Sequence, residues 1–208
     1  MSVDETDGKL ARLDMTDGEV DAIRAAMRAT GLGIRTIQLA GYDVYYEEGS
    51  EQTRADFLKN LRKAASMAAE EGVQLGFETM ETPFMDTVAK AMHYVREVDS
   101  PYLGVYPDAG NITNAALLYH GDPIEDLETG RGHIVAVHLK ETVPGKYREI
   151  PFGTGHVDFA AIAAKAWELG VRRFVAEFWY LEGSDWQQEL QRTNEFLRGY
   201  LDAVDEGR

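Results

Sequence analysis

Short apolar segments and longer amphipathic ones take turns along this chain. Strands are expected at Ile34–Ala40, Val73–Glu78, Tyr102–Tyr106, Ile134–Leu139 and Arg173–Phe178, with a further fragment at Met1–Val3. Helices are expected at about Asp17–Ala29, Thr53–Glu71, Pro83–Glu97, Phe159–Leu169 and Asp185–Val204. Gly31, Gly72 and Gly170 follow helical runs closely, as glycines in the left-handed C′ position do. No long linker or low-complexity stretch interrupts the series. It predicts βα units around a parallel sheet, in one domain covering residues 1–208.

The alternation inside each strand separates two faces. Ile134, Ala136 and His138 share one face, and Val135, Val137 and Leu139 the other. Gln74, Gly76 and Glu78 oppose Val73, Leu75 and Phe77; Arg173, Val175 and Glu177 oppose Phe174, Ala176 and Phe178. Thr36, Gln38 and Ala40 likewise oppose Ile37 and Leu39. One face is bulky and apolar, as needed beneath a helical layer, while the other is smaller or polar. A (β/α)8 barrel of the TIM type has that asymmetry, whereas an open doubly wound sheet buries apolar side chains on both faces. The α/β barrel is therefore the expected fold. A closed barrel has eight strands in about 250 residues, so the five strands read here leave it incomplete by about two βα units.

Four strand ends carry a side chain suited to metal: Glu78, Asp108, His138 and Glu177. In a parallel architecture the carboxyl ends of successive strands gather at one face, where ligands bind. A strand-end carboxylate taken alone is more often a helix N-cap or a solvated loop charge. Four such residues, all on the non-apolar face, favour a divalent-metal site. Three carboxylates and an imidazole form a hard, oxygen-rich set suited to Mn²⁺, Mg²⁺ or Co²⁺, with Zn²⁺ as a further option. The other histidines fit structural roles: His93 within a helix, His120 in a loop, His133 at a strand start and His156 at a loop or helix entry.

Composition narrows the function. Lys and Arg number 21 against 36 Asp and Glu, a net charge of −15, and no basic stripe is segregated. Such a field repels nucleic acid and anionic membranes, which disfavours a nuclease. A phosphorylated substrate would need local cations. Cysteine is absent, which removes disulfides and thiolate ligation. No apolar run approaches the roughly 18 residues of a membrane span and no secretory signal opens the chain, so a cytoplasmic enzyme is expected.

The stretches Ile37-Gln38-Leu39-Ala40-Gly41-Tyr42-Asp43, Tyr106-Pro107-Asp108-Ala109-Gly110-Asn111, His138-Leu139-Lys140-Glu141-Thr142 and Pro151-Phe152-Gly153-Thr154-Gly155 closely resemble the L-ribulose-5-phosphate 3-epimerases. The resemblance runs through nearly the whole chain. It implies a xylose-isomerase-like TIM barrel that interconverts L-ribulose 5-phosphate and L-xylulose 5-phosphate in L-ascorbate and related sugar catabolism, as a homodimer. It implies one divalent ion held by Glu78, Asp108, His138 and Glu177, Mn²⁺ first, with Zn²⁺, Co²⁺ or Mg²⁺ as alternatives. It also locates the shortfall. Met1–Glu5 matches the end of the family's second strand, and the third strand with most of its helix is skipped near Gly31 and Leu32.

Epimerisation beside a ketone removes the C3 proton and returns one on the opposite face. An ion chelated by O2 and O3 would stabilise the cis-enediolate, and a carboxylate on each face of C3 would carry the proton. By resemblance, Glu78 and Glu177 both ligate and shuttle protons, whereas Asp108 and His138 only ligate. Arg148 matches a family position that contacts the sugar. Lys140, on the His138 face, is expected to meet an oxyanion or phosphate. Asn111, three residues past Asp108, is expected at the rim, and Gly153–Gly155 would offer backbone N–H groups to a phosphate. Trp167, Trp179 and Trp186 are assigned to packing or subunit contacts. The competing readings are a 3-epimerase or aldose–ketose isomerase of an unphosphorylated sugar, and a truncated, non-catalytic barrel remnant. An abasic-site endonuclease ranks last, because it would want more histidine ligands and a basic groove.

Overall fold

The computed structural model describes residues 16–39, 50–181 and 183–207, so the Met1–Val3 fragment and Ala40 lie outside the described residues. Two units are separated at Arg35. In the first, α1 (Asp17–Thr30) opens with a capping box. The Thr16 side chain accepts from the Glu19 N–H, and the Glu19 carboxylate accepts from the Thr16 N–H at 2.8 Å. The helix ends at Gly31, whose φ of 69° is open to glycine at little cost.

The second unit runs β1 (Thr36–Leu39), α2 (Glu51–Glu71), β2 (Gln74–Glu78), α3 (Val88–Val98), β3 (Leu103–Tyr106), α4 (Ala109–Tyr119), α5 (Pro123–Thr129), β4 (Val137–Leu139), α6 (Phe159–Glu168), β5 (Phe174–Ala176) and α7 (Trp186–Glu206). All five expected strands form, each shorter than the apolar run that announced it. β1, β2 and β3 pair in parallel, with Leu39 beside Phe77 and Phe77 beside Val105. β4 and β5 pair in parallel with His138 beside Val175. Parallel bridges from Val105 to Ile134 and from Asp108 to His138 join the two groups. The strands thus follow one another in chain order as a parallel arc. Among the described residues its outer strands, β1 and β5, have no further neighbour.

The expected faces are observed except at residues 134 and 135, where the order is reversed. Ile134 packs against the core beneath the helices, and Val135 turns inward beside Tyr106 and Ala136, because regular strand pairing of β4 begins only at Val137. Leu75, Phe77, Val105, Val137 and Leu139 are buried under the helices in one core with Met92, Val95, Ile112, Leu127 and Ile162. Phe57, Phe77, Phe84 and Tyr94 lock α2 and α3 onto β2, with Phe57 and Tyr94 edge to face at 5.2 Å. On the inner face, glycine is needed where another chain segment presses close. A Cβ on Gly104 would overlap the His133 carbonyl and come within 2.7 Å of Val135 Cγ1. Gly104→Ala is therefore expected to destabilise the fold by about 3 kcal/mol, read as a lowered urea midpoint. An unchanged midpoint would show that β3 does not pack against residues 133–135 in solution.

Two helices escaped the sequence reading, and one starts later than expected. α4 is rich in Gly, Asn and Thr, which are weak helix formers, and is largely buried. α5 has only seven residues and relies on its Asp122 cap and on Pro123 at the first position. α3 begins at Val88 rather than Pro83. The Asp126 carboxylate of α5 accepts from the Val88 and Ala89 N–H groups at 2.8 and 3.0 Å, and Thr87 caps Lys90. These contacts fix the start of the helix five residues downstream. Among the described residues, no helix is long and apolar enough to cross a membrane.

Candidate metal centre

Each predicted ligand is placed by a strand end. Glu78 is the last residue of β2, His138 the middle of β4, and Glu177 follows β5, where its N–H donates to the Leu139 carbonyl at 2.9 Å. Asp108 is the N-cap of α4. Its Oδ1 accepts from the Asn111 N–H at 2.7 Å, and its own N–H donates to Thr79 Oγ1 at 2.8 Å. With one oxygen committed to the cap, the other points into the cluster. One ligating atom from each of Glu78, Asp108, His138 and Glu177 lies within 4.8 Å of the others.

The cluster is short of protons for its acceptors. His138 Nδ1 lies 2.8 Å from Glu78 Oε1, 2.9 Å from Glu177 Oε2 and 3.8 Å from Asp108 Oδ2. One ring nitrogen carries one proton, and Glu78 lies along its direction. Glu177 Oε2 and Asp108 Oδ2 are then buried with no hydrogen-bond partner, an arrangement that proteins rarely leave uncompensated. A divalent cation is the partner this donor set fits. Three carboxylates less the Lys140 ammonium leave two negative charges, equal and opposite to such an ion.

Without an ion, protons do this work. Burial opposes a charge on His138, but the close contacts with the Glu177 and Glu78 carboxylates and the charge of Asp108 overcome it and raise its pKa to about 9. Burial pushes Asp108 upward, only partly countered by Lys140. Burial also pushes against Glu177, yet its contact with His138 and the charge of Lys140 hold it below the usual carboxylate range. The Tyr106 ring packs edge-on against His138 at 4.5 Å. Burial first, then Glu78 and Glu177, push its hydroxyl to about 12, so it remains a neutral wall.

The other expected site residues fall at different depths. Lys140 is 3% exposed, its Nζ 3.6 Å from Asp108 Oδ2 and 3.5 Å from Glu177 Oε1. Asn111 is 1% exposed, beneath the cluster; its amide donates to the Thr79 carbonyl at 2.7 Å. Arg148 lies at the mouth, its Nε donating to Glu81 Oε1 at 2.8 Å and its guanidinium 5.0 Å from the Trp179 ring. The Gly153 N–H is not open to a phosphate, because Glu141 Oε2 accepts it at 3.0 Å. Glu141 Oε1 accepts from Thr142 and Val157 at 3.1 and 3.2 Å, so this buried carboxylate straps both ends of the loop after β4. His156 is structural as expected, with Nε2 3.0 Å from Thr142 Oγ1. Trp167 packs on Phe174.

Three contributors were not singled out from sequence. Gln38 donates to Glu78 Oε2 and so orients that carboxylate from β1; its place on the polar face was the available signal. Glu81 and Glu141 left no such signal, since Glu81 pairs with Arg148, 67 residues on, and Glu141 binds backbone N–H groups, which no side-chain pattern announces.

Residues 8–200 match the family model described as xylose isomerase-like TIM barrel. L-ribulose-5-phosphate 3-epimerase UlaE of Salmonella paratyphi C (strain RKS4594) is 34% identical over 242 residues, covering 97% of this chain and 84% of that protein. The protein of the same name from Escherichia coli (strain SMS-3-5 / SECEC) matches with the same identity and coverage. The aligned span of 242 positions exceeds the 208 residues of this chain, so these relatives carry residues with no counterpart here. Among solved structures, a D-tagatose 3-epimerase-like protein superposes with a TM-score of 0.69 at 20% identity, over 90% of this chain and 68% of that one. An L-ribulose 3-epimerase superposes with a TM-score of 0.65 at 17% identity, over 85% and 64%. The arc of five strands is thus part of a TIM barrel, and the chain spans about two thirds of these solved structures. The chain belongs to the xylose isomerase-like TIM barrel family, beside relatives named L-ribulose-5-phosphate 3-epimerase.

Proposed function

We propose that this protein is a divalent-metal-dependent 3-epimerase interconverting L-ribulose 5-phosphate and L-xylulose 5-phosphate. The observation that carries the reading is the pair of glutamates that meet at one cluster from strands three apart, with buried carboxylate oxygens left without partners. Glu78, Asp108, His138 and Glu177 would hold the ion, which when bound supplies Lewis-acid stabilisation of charge on adjacent substrate oxygens. Glu78 and Glu177 approach from β2 and β5, with β3 and β4 between them. One takes the C3 proton and the other returns a proton to the opposite face. Gln38 and Asp108's cap keep their partner carboxylates oriented. Arg148, held at the mouth by Glu81 and Trp179, receives the phosphate end. Asn111 acts through Thr79 and Asp108 rather than by touching the sugar.

The test is proton NMR of L-ribulose 5-phosphate in D₂O with purified protein and Mn²⁺. Deuterium should enter at C3 as a second epimer appears, faster for the phosphorylated sugar than for free L-ribulose. A preference for the free sugar would move the assignment to an unphosphorylated 3-epimerase. The two unpaired sheet edges among the described residues favour one further reading, a remnant that keeps only the ion site. Folded, metal-bound protein that catalyses no exchange would establish it.

A further inference from the structure

Lys140 is a buried cation placed among carboxylates that the proposed ion would also use. Its Nζ lies 3.6 Å from Asp108 Oδ2 and 3.5 Å from Glu177 Oε1, near enough for charge and looser than a direct ion pair. Its position has little slack. Lys140 follows β4 directly, and the Leu139 carbonyl before it is bound by the Glu177 N–H. The next nearest carboxylate, Glu81, stands 4.0 Å away and is already paired with Arg148.

We propose that Lys140 is a specificity-determining residue for the charge of the bound ion, holding the centre to divalent cations and keeping their binding loose. With Lys140 in place, Glu78, Asp108 and Glu177 leave two negative charges for the ion. Without it they leave three, which a trivalent cation matches. The repulsion between ammonium and ion acts over a few ångströms in a largely buried cluster, where salt screens it weakly. It scales with the ion's charge, so removing Lys140 favours a trivalent ion more than a divalent one. The inference rests on the metal reading above but not on turnover.

The experiment uses the substrate-free protein, stripped with chelator, with Mn²⁺ affinity read by electron paramagnetic resonance and Tb³⁺ affinity by luminescence. Lys140→Met should tighten Mn²⁺ by about tenfold or more, and Tb³⁺ by a larger factor. Lys140→Arg, which keeps the charge, should stay within a few-fold of the wild type. Unchanged or weakened Mn²⁺ binding in a folded Lys140→Met protein overturns the proposal, as does an equal gain for both ions. Lys140→Gln carries the comparison if the methionine variant does not fold. The wild type gives a second measurement. It should bind Tb³⁺ no more tightly than Mn²⁺, and a clear Tb³⁺ preference overturns the proposal. Wild type that binds neither ion sinks the metal reading and this inference together, whereas ion binding without C3 exchange sinks only the epimerase assignment.

Discussion

Glu177→Gln is expected to lower epimerisation by about 10²–10⁴-fold while the protein stays folded. The amide keeps the size and one oxygen of the side chain, but it cannot accept the C3 proton. Glu78→Gln should cost a similar amount. A two-base site makes a sharper forecast than loss of activity. With one base removed, the surviving glutamate still faces one side of C3, so the epimer whose proton points to it should exchange with D₂O without inverting. The other epimer should not exchange. The two variants should therefore wash deuterium into opposite epimers, which NMR reads directly. If both variants labelled the same epimer, the base facing that side of C3 would be neither glutamate. Glu177 is the cleaner choice, because Glu78 also anchors the His138 proton and Gln38.

Stability should depend on pH and metal together, through His138. Its pKa in the metal-free fold is about 9, above its ordinary value of 6.5. That contribution is fully present below about pH 6.5 and is lost as pH rises through about 9. It amounts to a shift on the order of 3 kcal/mol, or about 10 °C in melting temperature. Asp108 acts in the same sense. Burial raises its pKa, so it too costs stability as pH climbs above the ordinary carboxylate range. Glu177, held low, acts oppositely and loses its contribution only in strong acid. Chelator-treated protein should melt progressively lower between pH 6.5 and 9. Mn²⁺ should flatten that fall, because the ion takes the place of the proton, and proton release should accompany its binding. A flat melting profile without metal would mean that His138 is neutral throughout and the cluster is not assembled as described.

The clustering of Glu78, Asp108, His138 and Glu177 was readable from the chain because strand period and strand end are both local. Once the polar face of Thr36–Leu39 or Phe174–Ala176 is identified, the residue at its carboxyl end must project into the common rim. The smaller face also foretold Gly76, which the inner packing requires; Gly104 was not assigned to a face. What the chain did not show depends on distant partners. α4 is held by burial against its own propensities, and the start of α3 is set by a carboxylate 38 residues away. The Gly153 N–H looked free for a phosphate only because nothing local reveals that Glu141 occupies it. Lys140 was correctly placed on the His138 face, but its neighbours turned out to be the ligand carboxylates themselves.

The strap made by Glu141 separates tolerance from precision in the loop that carries Arg148. Thr142, Gly153 and Val157 are tied to one side chain that sits three residues past His138. Residues 143–152 therefore leave and rejoin the scaffold at fixed points. Sequence drift or grafted segments within them would reshape the mouth without moving His138 or Lys140. The chain thus separates a cover that can be reshaped from a floor, carrying His138 and Lys140, that stays in place.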